Sequence, residues 1–348
     1  MNKTSVLVVD DSAFMRKLIA GFLNESGTCY AAGTARNGED ALEKVKALNP
    51  DVVTLDIEMP GMDGLQTLKR IMEGTPKPVI MFSGMTQRGA DLTIQSLQMG
   101  AVDFIPKPSG AISLDLHKVK DDLIRKVEMA GQLKMETITV GGRNRPFNER
   151  KTSRLNSSRK VICIGTSTGG PRALQQVLPK LPGDLNAPVF VVQHMPEGFT
   201  ASLAARLDTL SHLTVKEAED GELVKKATAY LAPGGTHMKV EESMSGLVIR
   251  LTKESLNTAH RPSVDVLFES LSRIKNVHKI AVIMTGMGSD GSEGLKKLKQ
   301  SGSLHAISES EKTSVVFGMP KMAVETNAVD AVEHLEDIAD AILKSVQS

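Results

Sequence analysis

Residues 161–171 read Val-Ile-Cys-Ile-Gly-Thr-Ser-Thr-Gly-Gly-Pro, an apolar run that stops at a turn of small residues and is followed by a helical pattern from Pro171 to Leu178. A short β-branched run, a tight turn and a helix form the repeating unit of a parallel α/β sheet. Downstream, PVFVVQH, ATAYLAP, LVIRLT, KIAVIMTG and LHAIS are further strand candidates, and Gly291 to Gln300 carries helical periodicity. Upstream, between Ser5 and about Ala130, SVLVVDD, CYAAGTA, DVVTLD, PVIMFS and AVDFIPKP alternate with helical stretches at Ser12–Glu25, Gly38–Leu48, Gly64–Met72 and Ala90–Met99. That spacing fits right-handed crossovers in a five-fold βα unit.

Between the two alternations the periodicity fails. From Gly131 to Lys160 the basic residues Lys134, Arg143, Arg145, Arg150, Lys151, Arg154, Arg159 and Lys160 face only Glu136 and Glu149. A basic run without apolar period reads as a solvated tether. The expected organisation is a first domain at 1–126, a basic flexible linker at 127–158 and a second domain at 159–348. The length of 348 residues suits two separate cores.

Composition excludes several classes. Lys and Arg total 42 against 41 Asp and Glu, a net charge of +1, so no large field is available to grip nucleic acid or anionic lipid. Tryptophan is absent and 3% of residues are aromatic, which leaves few platforms for stacking bases. No apolar run reaches the roughly 18 residues of a membrane span, and MNKTSVLVVDD lacks an extended apolar signal region, so a cytoplasmic chain is expected. Cys29 and Cys163 lie in separate strand-like runs and read as buried thiols rather than a disulfide or a zinc site. A monomer is the default expectation.

In an open parallel sheet, functional groups collect beyond the carboxyl ends of the strands. Asp10 and Asp11 follow VLVV, and Asp56 follows VVTL. If those strands are neighbours, three carboxylates converge, and a hard divalent cation such as Mg2+ relieves their repulsion while leaving positions open for a phosphate. Ser83 ends PVIMF and Lys107 ends AVDFIP, an alcohol and an amine suited to phosphoryl oxygens.

With these residues and the stretch DIEMPGMDG, Ser5 to about Lys126 resembles the receiver domain of two-component response regulators. The resemblance implies a flavodoxin-like five-stranded parallel fold. It further implies Asp56 as phosphoacceptor, Asp10, Asp11 and Asp56 around Mg2+, Ser83 and Lys107 on the phosphoryl oxygens, and Phe104 as the switching aromatic.

In the second domain, a serine at the turn after a strand can project its Oγ from the sheet edge, with following backbone N–H groups near a helix terminus to hold an oxyanion. Such an alcohol needs a base and an orienting acid. His194, after PVFVVQ, and Asp290, in TGMGSDG, sit at other strand ends; His237 in APGGTHM and His260 in TAHRP are alternative bases. The order Ser, His, Asp differs from that of the ordinary α/β-hydrolase fold. A phosphate-cradling glycine loop is the alternative for GTSTGG, although its spacing fits neither common nucleotide motif.

GTSTGGP, QHMP, APGGTH, HRPSVD and TGMGSDG occur in the same order in the catalytic domain of chemotaxis response-regulator protein-glutamate methylesterases of the CheB type, which this chain resembles over nearly its full length. The resemblance implies a doubly wound, mainly parallel α/β esterase domain with Ser167 as nucleophile, His194 as general base and acid, and Asp290 orienting the imidazole. It implies oxyanion or loop support from Thr168 and Met287, and no cofactor in this domain. The implied activity is hydrolysis of glutamate γ-methyl esters, with deamidation of glutamines, on methyl-accepting chemoreceptors. A chemotaxis histidine kinase would supply the phosphate, and phosphorylation would relieve inhibition by a receiver lying over the esterase cleft. The competing reading is a non-enzymatic adaptor whose glycine-rich turn is a ligand loop.

Overall fold

The structure, a computed structural model, describes residues 3–108, 113–133, 159–254, 256 and 258–348. The chain divides into two compact units, Met1–Val140 and Gly141–Ser348.

In the first unit, β1 (Thr4–Val9), β2 (Cys29–Ala35), β3 (Val52–Asp56), β4 (Val79–Ser83) and β5 (Asp103–Pro106) form one sheet in the order β2-β1-β3-β4-β5. Every pairing is parallel, as expected from the crossover spacing. The helices are α1 (Ala13–Glu25), α2 (Gly38–Leu48), α3 (Gly64–Gly74), α4 (Gln87–Gln98) and α5 (Ser113–Ala130). The first four start where Ser12, Asn37, Asp63 and Thr86 accept a backbone N–H three residues on. Each such cap replaces a hydrogen bond the first helical turn lacks, worth about 1 kcal/mol. Central strands read as unbroken apolar runs because both faces are covered: Val6, Leu7, Val8, Val52, Val53 and Leu55 are fully buried.

Helix α5 continues to Ala130, past the expected boundary at 126. The linker expected at 127–158 lies outside the described residues from 134 onward.

In the second unit, seven strands form a wholly parallel sheet in the order β14-β13-β12-β6-β7-β9-β8. They are β6 (Arg159–Thr166), β7 (Val189–Gln193), β8 (Thr214–Glu217), β9 (Thr228–Leu231), β12 (Val277–Ile283), β13 (Leu304–Glu309) and β14 (Ala331–Glu333). The stretch LVIRLT lies in β11 (Gly246–Thr252), which pairs antiparallel with β10 (His237–Ser243) instead of joining the sheet. Two residues separate these strands, enough for a hairpin and too few for a parallel crossover. The hairpin packs Met238, Val240 and Ile249 into the same core as Phe190, Tyr230 and Phe268. The helices are α6 (Gly170–Val177), α7 (Phe199–Leu210), α8 (Val264–Ser272), α9 (Ser292–Gln300), α10 (Met319–Glu325) and α11 (Ile338–Gln347).

The connections leave β1 and β3 in opposite directions in the first sheet, and those after β6 and β12 do the same in the second. A crevice opens beyond the carboxyl ends of the strands at such a switch point. Asp10 and Asp56 leave the first of these pairs, and Ser167 leaves β6 at the second. Cys29 and Cys163 are free and buried. Among the described residues no helix is long and apolar enough to cross a membrane.

Candidate active site

Ser167 is the first residue after β6, and the turn Ser167-Thr168-Gly169 leads into α6. Thr166 and Thr168 are buried, whereas Ser167 is half-buried. Gly169 has φ 78°, in the left-handed region that glycine tolerates and side chains strain to reach. Hydrogen bonds to its backbone pin the turn: Ser167 N donates to Thr285 O at 3.0 Å, Gly170 N to Ser167 O at 2.8 Å, and the side-chain Gln193 Nε2 to Ser167 O at 2.9 Å. Gly286, beyond β12, packs so closely that a Cβ there would lie 2.8 Å from Ser167 Cβ. The alcohol is therefore carried on a turn whose backbone has little freedom.

His194 is the first residue after β7. Thr166 pairs in register with Gln193, so Ser167 and His194 are successive residues on adjacent parallel strands. The His194 N–H donates to Thr166 O at 3.2 Å. Its Nε2 lies 2.7 Å from Asp290 Oδ2, while its Nδ1 is buried and has no hydrogen-bond partner among the described residues. His260, the alternative base, stacks on this imidazole with ring centroids 4.2 Å apart and planes 18° from parallel. His237, the other alternative, is fully buried at the start of β10, where burial lowers its pKa. The Ser167 hydroxyl and His194 Nδ1 are not hydrogen-bonded to each other here, which is common before substrate arrives.

Asp290 lies in the loop between β12 and α9, and its carboxylate accepts four hydrogen bonds. Oδ1 takes Ser263 Oγ at 2.8 Å and Asp265 N at 3.1 Å; Oδ2 takes Val264 N at 2.7 Å in addition to His194. Burial opposes ionisation, but the His194 contact and the two backbone N–H groups outweigh it and hold Asp290 well below the usual carboxylate range. Burial, reinforced by the Asp290 charge, pushes the neighbouring Asp265 up to about 6. Met287 shares this loop and is half-buried; its backbone N–H makes no hydrogen bond among the described residues. Thr168 places its carbonyl on Thr285 Oγ1 at 2.9 Å.

Ser263 and Asp265 stand in HRPSVD, where the sequence alone assigns neither of them a role. The signal was present, since Ser263 before Val-Asp-Val-Leu is a helix-cap pattern, and Ser263 does cap α8 by accepting from Val266 N. The stacking of His260 and the brace of Thr285 had no local signal.

In the first unit, carboxylate oxygens of Asp10, Asp11 and Asp56 lie within 4.8 Å of one another. Asp10 and Asp56 are buried and Asp11 is exposed. Three hard oxygen donors, one open to solvent, fit a hard divalent cation. Lys107 bridges the buried pair, with Nζ 2.6 Å from Asp56 Oδ2 and 3.1 Å from Asp10 Oδ2. Burial pushes Asp56 up to about 6 against the pull of Lys107. Ser83 is buried at the end of β4 and donates to Gly89 O at 3.0 Å, so the hydroxyl is engaged with the start of α4 in this arrangement. Phe104 is buried on β5, with Lys126 Nζ 5.5 Å from its ring centroid.

Two family descriptions match the chain: CheB methylesterase over residues 162–342 and response regulator receiver domain over 6–117. A Geobacillus kaustophilus protein described as protein-glutamate methylesterase/protein-glutamine glutaminase is 55% identical over 347 residues, covering 99% of each chain. A Bacillus subtilis protein of the same description is 51% identical over 350 residues, covering 98% of each chain. The crystal structure of the Thermotoga maritima CheB methylesterase catalytic domain is 45% identical and superposes with a TM-score of 0.52, over 54% of this chain and 98% of that one. The chain thus belongs to the CheB methylesterase family, a hydrolase joined to a response-regulator receiver domain.

Proposed function

We propose that the second unit hydrolyses γ-methyl esters of glutamate side chains on methyl-accepting chemoreceptors, and deamidates glutamines, by acyl transfer through Ser167, His194 and Asp290. The observation that carries this reading is the His194–Asp290 pair at 2.7 Å, whose second ring nitrogen has no hydrogen-bond partner among the described residues and lies one strand away from Ser167. Asp290 occupies Nε2, so Nδ1 is the basic nitrogen. It takes the Ser167 proton as Oγ bonds to the ester carbon, and returns it to the methoxy oxygen as that C–O bond breaks and methanol departs. Water then attacks the glutamyl-serine ester, giving one proton to Nδ1, and the regenerated serine recovers it. For a glutamine the leaving group is ammonia. The Met287 N–H and the backbone at Thr168 are the oxyanion donors in this scheme.

The receiver controls the activity through Asp56. The site's donor set suits Mg2+ held by Asp10, Asp11 and Asp56, which supplies charge neutralisation when a phosphoryl group is transferred from a kinase. Lys107 pairs with the phosphoryl oxygens, Ser83 exchanges its bond to Gly89 for one to the phosphate, and Phe104 responds to that exchange. The protein works in the cytoplasm beside receptor arrays, without insertion into the membrane.

The test is methanol release from methylated receptor membranes with and without a small acyl-phosphate donor. Donor should raise the rate of the full chain, and a truncated protein starting at Ser158 should be active without donor, because inhibition is relieved rather than catalysis created. A truncated protein no faster than the unphosphorylated full chain would overturn this form of control.

Asp56→Asn should abolish acid-labile, hydroxylamine-sensitive phosphate incorporation while leaving basal methanol release in place. Labelling that persists in the variant would identify another acceptor.

A further inference from the structure

Glu309, the last residue of β13, is fully buried and no part of the scheme above uses it. Its Oε2 accepts from Thr285 N at 2.7 Å, and its Oε1 accepts from Thr313 Oγ1 at 3.1 Å. Thr285 is itself buried and holds three successive residues of the Ser167 turn. Its carbonyl accepts from Thr166 Oγ1 at 2.9 Å and Ser167 N at 3.0 Å, and its Oγ1 donates to Thr168 O at 2.9 Å. The same Oγ1 accepts from Val316 N at 2.9 Å, which ties the 310–317 loop to the turn. Thr285 follows β12 by two residues, between Met284, whose N–H donates to Gly165 O at 2.9 Å, and Gly286, whose N–H donates to Val316 O at 3.1 Å. The Thr285 amide points away from both of those partners, and the acceptor that satisfies it is the side-chain oxygen Glu309 Oε2.

We propose that Glu309 is a positioning residue for the nucleophile: through Thr285 it fixes the backbone of residues 166–168 and hence the direction of the Ser167 hydroxyl. This rests on Ser167 being the nucleophile. The feature that matters is an acceptor oxygen at the right reach, not a charge. A buried carboxylate is costly, and burial moves Glu309 up to about 7, yet a protonated carboxyl still presents a carbonyl oxygen to Thr285 N. Glutamine offers the same oxygen and turns an amide N–H2 toward Thr313 Oγ1, which can accept. Aspartate falls short by about 1.5 Å, one carbon–carbon bond, and methionine fills the space without an acceptor.

Glu309→Gln, Glu309→Asp and Glu309→Met are compared with Ser167→Ala in the full chain, with kcat and KM for methanol release measured under phosphodonor and thermal unfolding followed in parallel. The Gln variant should stay within about twofold of the parent, while the Asp and Met variants lose on the order of 10- to 100-fold in kcat with KM nearly unchanged, as expected for a misdirected reacting group. If the Met variant does not fold, the Asp variant carries the comparison. Should neither fold, Thr285→Val, which keeps the N–H on Glu309 but drops the grip on Thr168 and Val316, must show the same loss in kcat. Parental kcat in the variant that carries the comparison, with Ser167→Ala inactive, overturns the proposal. So does a Gln variant as slow as Met, which would make charge the essential property. Retained turnover in Ser167→Ala would instead overturn the nucleophile assignment.

Discussion

Ser167→Ala is expected to lower methanol release from methylated receptors by on the order of 10⁵-fold while leaving the unfolding temperature close to the parent's. The size follows from the chemistry. Without Oγ no glutamyl-enzyme forms, and the Nδ1 of His194 has no alcohol to deprotonate, so only orientation and oxyanion binding remain to assist water. The small structural cost follows from the packing. The turn is held by the backbone of Ser167 and by Thr285 and Gln193, none of which uses the hydroxyl. Covalent labelling of the parent by a fluorophosphonate, lost in the variant, separates an esterase from an adaptor with a glycine-rich ligand loop. Turnover within about tenfold of the parent in the variant would reject the covalent route.

Asp290→Asn is expected to cost on the order of 10³- to 10⁴-fold in kcat with little change in KM. The carboxylate accepts from four donors divided between its two oxygens. An amide has one acceptor oxygen. If its N–H2 takes the place of Oδ2, it meets the Val264 N–H head-on and requires His194 Nε2 to accept, which moves the ring proton to Nδ1. That nitrogen then cannot take a proton from Ser167. If the N–H2 takes the place of Oδ1, it opposes the Asp265 N–H and strains the start of α8, and the imidazolium formed in the reaction loses its counter-charge. Comparing kcat of the variant with the chemical shifts of the His194 ring nitrogens tests the argument. A variant with parental kcat, or with the proton still on Nε2 and low activity, would refute the tautomer explanation.

The parallel α/β character of both units was legible because the central strands read as short, mostly apolar runs, and four of these runs end at a polar residue of the proposed sites. Val6 to Val9 stop at Asp10, Val52 to Leu55 at Asp56, Val161 to Thr166 at Ser167, and Val189 to Gln193 at His194. A strand's length and its polar terminus are local properties, so pattern reading found them. LVIRLT was assigned as a strand, but its partner was not, because an apolar alternation does not say whether its neighbour lies across a two-residue turn or a crossover helix.

The side chains of the proposed sites divide in the same way. Asp290 was found through its glycine-rich loop, yet its bonds to Ser263, Val264 and Asp265 join residues at least 25 positions apart. Glu309 directly follows the strand-like run LHAIS, with nothing nearby to distinguish it from a surface glutamate at a strand end. Its burial follows only from β13 lying between β12 and β14.

Local patterning thus determined the two α/β units, where their strands end and the polar residue types placed there, because backbone period and side-chain polarity are written within a few residues of each position. The tertiary structure alone decided which strands are neighbours, which imidazole nitrogen meets Asp290, that His260 stacks on the His194 ring, and that Glu309 braces Thr285. Those depend on contacts between segments tens to more than a hundred residues apart, and no period in the chain encodes the order in which a sheet assembles its strands.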